Sequence, residues 1–196
     1  MPSTKRGFTL IELLVVIGIV VILSVVVVLT LNPAQLLAQA RDSTRISDLA
    51  TMKSAISLYL ADVSSPDLDG SMNIGCGSSG GESGACNAGD ARFSGVGGYY
   101  TTSSNPLAVD GTGWIPVNFG AISSGAPISA LPVDPTNNTG TVNIYYAYKA
   151  TTTQTYELNA NLESTRYTTG DTNYEASDGG NAPLLYETGT YQGLSL

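Results

Sequence analysis

The chain has 196 residues, with 8 Lys and Arg against 16 Asp and Glu and a formal net charge of −8. That balance argues against a surface built to neutralise nucleic-acid phosphates, and no nucleic-acid site is evident. Histidine is absent from the sequence. Ser-His-Asp and Cys-His nucleophile systems, His-ligated zinc and haem on a proximal His are thereby excluded. Carboxylate-pair and Ser-Lys chemistry would need a spacing that nothing here singles out, so the chain is read as not an enzyme.

The first predicted element follows a short basic stretch, MPSTKRG, residues 1–7. From Phe8 to Leu31 the sequence FTLIELLVVIGIVVILSVVVVLTL carries Glu12 as its only charge. As a helix it would span about 36 Å, enough to cross a bilayer. A secretory signal peptide fits poorly, because the apolar run is too long and no small-residue cleavage site follows it. Lys5 and Arg6 precede the run, which places the N-terminus in the cytoplasm and the rest of the chain outside. A carboxylate just inside such a segment is costly and usually functional.

The basic leader ending in Gly7, the FTLIE that follows and the long apolar run together resemble the type IV prepilin family, which includes the pseudopilins of type II secretion. The resemblance covers only about 25 residues. It implies cleavage by a membrane peptidase between Gly7 and Phe8, N-methylation of the new Phe8 amine, and a role for Glu12 in assembly. Cleavage leaves a positive amine at Phe8, and Glu12 of one copy can meet that amine on its neighbour in a staggered bundle. An unpaired buried carboxylate is costly and a paired one much less so. The alternative is that Glu12 snorkels to the headgroups.

A helix break is predicted partway along. Gly18 lies inside the span, and Asn32-Pro33 follows it. Pro33 clashes with a preceding turn but suits the first position of a new helix, with Asn32 as N-cap and Gln35 completing a capping box. Related pilins carry Gly and Pro in this region. A second helix is predicted from Pro33 to about Asp62. Ile46, Leu49, Met52, Ile56, Leu60 and Val63 recur in steps of three and four and mark a docked face. Pro33 to Arg45, with charges at Arg41, Asp42 and Arg45, is expected to be a stalk seen mainly by neighbouring copies.

Residues 71–105 are expected to form a loop between helix and sheet. Cys76 and Cys86 lie there across a Gly/Ser-rich stretch, and in an extracytoplasmic protein they read as a disulfide. Closing that loop would stabilise by roughly 3 kcal/mol. The other reading, two unpaired thiols or half a metal site, lacks the remaining soft ligands. GWIPVNFGAI, with Trp114 and Pro116, is expected to be an irregular or edge strand. Val142, Ile144, Tyr146 and Tyr148 alternate with polar neighbours, as do Tyr156, Leu158, Ala160 and Leu162. These predict two half-buried strands in an antiparallel hairpin, turning around residues 150–154. PLLYE, residues 183–187, offers a third strand.

The family resemblance implies an α+β fold, a long N-terminal helix packed on a small antiparallel sheet. LPVDP, residues 131–135, is similar to a stretch common before the hairpin of major pseudopilins. Those proteins often bind calcium in a C-terminal loop. Here the hard oxygen ligands would be Asp171, Asn173, Glu175 and Asp178; otherwise the loop is an acidic solvated turn. No cofactor is required by the reading. NNT, residues 137–139, is a glycosylation sequon.

The expected organisation is a leader (1–7), a transmembrane and filament-core helix (8–32), a second helical half (33–63) docked from about 46, and an extracytoplasmic β domain (64–196). The implied function is a structural subunit of a type IV pilus-like filament. The alternatives are a major pseudopilin and a membrane-tethered binding domain that never polymerises. Implied partners are further copies of the chain, the prepilin peptidase, and an inner-membrane assembly platform with its ATPase. The precursor would be single-pass in the inner membrane, and the assembled filament extracellular.

Overall fold

A computed structural model describes residues 7–70, 74–78, 105–138, 144–170 and 172–193, with backbone alone at Leu29 and at 74–78. The chain divides into two compact units, residues 1–38 and 39–196, the boundary falling inside the second helix.

In the first unit, α1 runs from Leu10 to Leu31. Its window Leu10–Val28 is the one candidate membrane span among the described residues, and none of it is buried within the chain. Apolar side chains on every face of an unburied helix call for a solvent other than water. The Ser24 and Thr30 hydroxyls donate to the carbonyls of Val20 (2.7 Å) and Val26 (3.0 Å), which removes two donors from that apolar surface. Gly18 does not break the helix, contrary to expectation. One glycine costs a helix interior only about 1 kcal/mol, and the surrounding ladder carries it through. The interruption comes at Asn32, which adopts a left-handed conformation (φ 40°) as the C-cap of α1. The next helix, α2, then begins at Pro33 and runs to Asp62. The Asn32 carbonyl accepts from the amides of Gln35 and Leu36. Asn tolerates left-handed backbone where most residues do not.

The second unit packs α2 on a four-stranded antiparallel sheet in the order β1 (Ile74–Ser78), β2 (Ala147–Thr151), β3 (Tyr156–Ala160), β4 (Tyr186–Gly189). Leu49, Met52, Ala55, Ile56 and Tyr59 of α2 meet Tyr148, Ala150, Tyr156, Leu158 and Ala160 of the sheet. Trp114, Ile115, Val117, Phe119 and Leu131 complete the core from the irregular segment between β1 and β2. Among its described residues that segment holds a 3-10 turn at Phe119–Ala121 and two isolated bridges, Asp110 to Asn118 and Asn138 to Ile144. The Trp114 indole donates to the Pro132 carbonyl at 3.0 Å, so a large apolar body is buried without stranding its one donor.

Two expectations need correction. Residues 74–78 form β1, paired with β2 from Ile74↔Thr151 to Ser78↔Ala147, where a loop was expected. IGCGS is short and holds two glycines, which weaken a strand signal, so little in its own sequence announces the pairing. The hairpin strands are also buried on both faces rather than one: neither β2 nor β3 has an exposed residue. The second face of the sheet carries Lys149 opposite Glu157 and Asn159 opposite Glu187. Residues 180–182 cover part of that face. The Ala182 amide donates to Glu187 Oε2 at 2.8 Å, and a Cβ on Gly180 would meet that oxygen at 1.7 Å.

Candidate functional site

The N-terminal site is built on a helix start. Thr9 is the N-cap of α1, with extended backbone (φ −81°, ψ 153°), and Glu12 is the third helical residue. The two close a reciprocal capping box: the Glu12 amide donates to Thr9 Oγ1 at 3.3 Å, and Glu12 Oε2 accepts from the Thr9 amide at 2.8 Å. The Thr9 hydroxyl also donates to Oε2, at 2.7 Å. The charge that looked anomalous in an apolar helix thus satisfies donors that every helix start leaves open. It also lies at the positive end of the helix dipole. Thr9 went unread in the sequence, although T-x-x-E ahead of an apolar run is the signature of this box.

Phe8 is 88% exposed, and a Cβ added at Gly7 would meet no atom within 4 Å. Packing among the described residues therefore places no demand on glycine at position 7. A constraint there would come from whatever binds the segment from outside.

In the second unit the three charges assigned to a stalk are instead part of the fold. Asp42 and Arg45 have no exposed surface. The Arg45 guanidinium donates to Asp42 Oδ1 (2.7 Å), to both oxygens of Asp134 (2.7 and 3.0 Å), to Thr136 Oγ1 (3.0 Å) and to Glu163. Arg41 donates to the far side of Glu163. Asp42 in turn accepts from the amides of Glu163 and Ser164. Docking of α2 thus begins at Arg41–Arg45 rather than at Ile46, because the contact is ionic there and invisible to a search for apolar periodicity. Asp134 is the acid of LPVDP. Its Oδ1 also accepts from the amides of Thr136 and Asn137.

Burial opposes the charge on Glu163, but the hydrogen bonds from Arg41 and Arg45 win and hold its carboxyl down at about 2. A carboxyl whose folded pKa lies below its unfolded one contributes stability above the unfolded value and loses it as pH falls through the folded value. The stability difference between wild type and Glu163→Gln is therefore expected to be constant above about pH 5. It should shrink progressively between the model-peptide value of 4.5 and about pH 2. Urea unfolding across that range measures it, and a difference independent of pH would contradict the pairing.

The acidic C-terminal loop is less convergent than its composition implies. Asp171 lies outside the described residues, and so does Cys86, the proposed partner of Cys76. Asn173 Oδ1 accepts from the Ala176 amide at 3.0 Å. Glu175 is buried, which raises its pKa, and its Oε1 accepts from the Leu162 amide at 3.3 Å. Asp178 accepts from the amides of Gly180 (2.9 Å) and Glu187 (2.6 Å). These side chains hold backbone turns. No group of three or more His, Cys, Asp or Glu that could hold a metal ion occurs among the described residues. In the sequon, Asn137 is exposed with left-handed backbone (φ 43°), and Thr139 is outside the described residues.

Neither the curated proteins nor the solved structures compared with this chain yield a match. Residues 2–28 match the family model of the prokaryotic N-terminal methylation motif. The matched stretch contains Gly7, Phe8, Thr9 and Glu12 and nearly all of the apolar helix. Together with that helix, it fits a membrane-anchored precursor that is processed by a prepilin peptidase. The chain thus carries at its N-terminus the prepilin motif of type IV pilins and pseudopilins.

Proposed function

We propose that this protein is a structural subunit of a type IV pilus-like filament. The peptidase removes residues 1–7 and methylates the Phe8 amine. Residues 8–32 form the membrane anchor and then the filament core. Residues 33–63 continue into the extracytoplasmic domain, which the chain completes from residue 64. The observation that carries the reading is the conjunction, within residues 2–28, of a basic leader, Gly7-Phe8, Glu12 and an apolar helix that no described residue covers. The membrane holds the monomer, copies of the chain replace the membrane in the filament, and an inner-membrane platform with its ATPase drives the exchange.

A second reading, a major pseudopilin of a type II secretion system, is favoured by LPVDP, whose Asp134 anchors the base of α2 through Arg45. The two differ in where the filament is found. Electron microscopy of the native cell surface with antibody against this chain should show decorated fibres for a pilus and none for a pseudopilin. Intact-mass analysis of protein from its own host tests the step common to both. The chain should lack residues 1–7, carry one methyl group on Phe8, and have a formal side-chain charge of −10 after losing Lys5 and Arg6 from a total of −8. A retained leader would remove the main support for the assignment.

For the loop at 171–178, calcium is proposed on donor chemistry alone. A native-state ligand must raise the melting temperature. Equal melting temperatures in excess calcium and in chelator would remove the site.

A further inference from the structure

A homopolymer of this chain faces an electrostatic problem, because each processed copy carries a formal charge of −10 and packing like-charged copies together is opposed. The sequence holds eight Lys and Arg in all. Lys5 and Arg6 leave with the leader. Arg41 and Arg45 are committed to Glu163, Asp42 and Asp134. Lys149 is buried, and Arg92 lies outside the described residues. Outside that ionic network, the exposed cations among the described residues are Lys53 and Arg166. Lys53 donates to Thr188 of its own domain at 3.2 Å.

Arg166 is placed differently. It lines an open polar cleft with Gln39 of α2 and with Thr165, Thr169, Gly170 and Thr172. Its guanidinium stacks over the Tyr167 ring, 5.5 Å from the centroid. Tyr167 is itself held by ring contact with Tyr174 (5.3 Å) and lies 3.5 Å from the Ser43 hydroxyl. Stacking orients the planar fork and leaves its N–H groups for a bidentate acceptor. The Gln39 carboxamide lines the same cleft and offers a further neutral donor.

We propose that this cleft receives a carboxylate side chain from a second copy of the chain, with Arg166 as the cation that offsets repulsion between neighbours. The inference rests on the polymer reading above. Its occupant follows from charge: carboxylates outnumber cations two to one, so an acidic side chain is what a neighbouring copy most readily presents. The test compares sheared filament with processed, membrane-retained subunit for the full-length chain as wild type, R166K, R166Q and R166E, with Glu12→Ala as the unassembled reference. R166Q should lower the filament fraction about fivefold, the ratio that one exposed ion pair supports at its upper end. R166E should lower it further, and R166K should recover most of it. The total of processed subunit and the melting temperature should be unchanged in all three, since the residue is exposed.

Wild-type filament yield from R166E overturns the proposal. So does an equal loss in R166K, Q and E, which would mean that charge is not what the cleft reads. A loss accompanied by a lower melting temperature assigns Arg166 to folding and overturns it as well. No filaments from the wild type itself would bring down the polymer reading, and this inference with it.

Discussion

Replacing Arg45 by alanine is expected to destabilise the domain by about 3–5 kcal/mol, the usual cost of removing one partner from a buried ionic network. Arg45 is fully buried and supplies every hydrogen bond that ties Asp134 to α2. Without it, Asp42 and Asp134 remain as two carboxylates with almost no access to water. Asp42 keeps its backbone donors at Glu163 and Ser164, and Glu163 keeps Arg41. Asp134 keeps the Thr136 and Asn137 amides on Oδ1 but loses the Arg45 bond to Oδ2, so the loss should fall mainly there. Urea unfolding of the purified full chain in detergent measures the change. A double-mutant cycle with Asp134→Ala gives the coupling. The double variant should be much less destabilised than the two single losses added together, because the second deletion removes the stranded charge. A cost below about 1 kcal/mol for Arg45→Ala would mean that the helix is held by its apolar face alone. The lesion should also be regional: the Leu49–Tyr59 face lies further along α2 and keeps its contacts.

The sequence disclosed most where chemistry is local. The apolar run, the break at Asn32-Pro33, the face from Leu49 to Tyr59 and the β2–β3 hairpin all follow from periodicities of 3.6 and 2 or from proline. The Thr9–Glu12 box was equally local and could have been read. What was not legible depends on partners far apart in the chain. Arg45 meets residues 89 to 118 positions away, and no spacing rule announces such a pair. Its neighbourhood, QARDSTR, has the look of a solvated face. β1 is hidden for a related reason: little in the short, glycine-bearing IGCGS announces its pairing with β2. Burial of the sheet's second face depends on a loop that returns from Asp178 to Ala182, with Gly180 as the residue small enough to lie on Glu187. In the acidic loop the composition is metal-like, while Asn173, Glu175 and Asp178 each accept from a backbone amide, contacts that no composition announces.

The largest functional effect is expected at Glu12. Glu12→Ala should still be inserted and cleaved, and the monomer should sit more comfortably in the bilayer once a buried charge is gone. Filaments should be absent or few, with processed subunit accumulating in the membrane. The capping box bears on how this would work. Both hydrogen bonds from Thr9 fall on Oε2, so the carboxylate can hold its own helix start while Oε1 turns to the Phe8 amine of a neighbouring copy. Glu12→Gln separates the two roles, because glutamine serves a capping box as well as glutamate does but carries no charge. If the ion pair drives docking, Gln should fail nearly as badly as Ala. If the cap is what matters, Gln should assemble like wild type while Ala does not. The measurement is the ratio of sheared to membrane-retained subunit for the three proteins. Wild-type ratios from both variants would mean that Glu12 has no part in assembly, and the filament reading would then rest on the cleavage site alone.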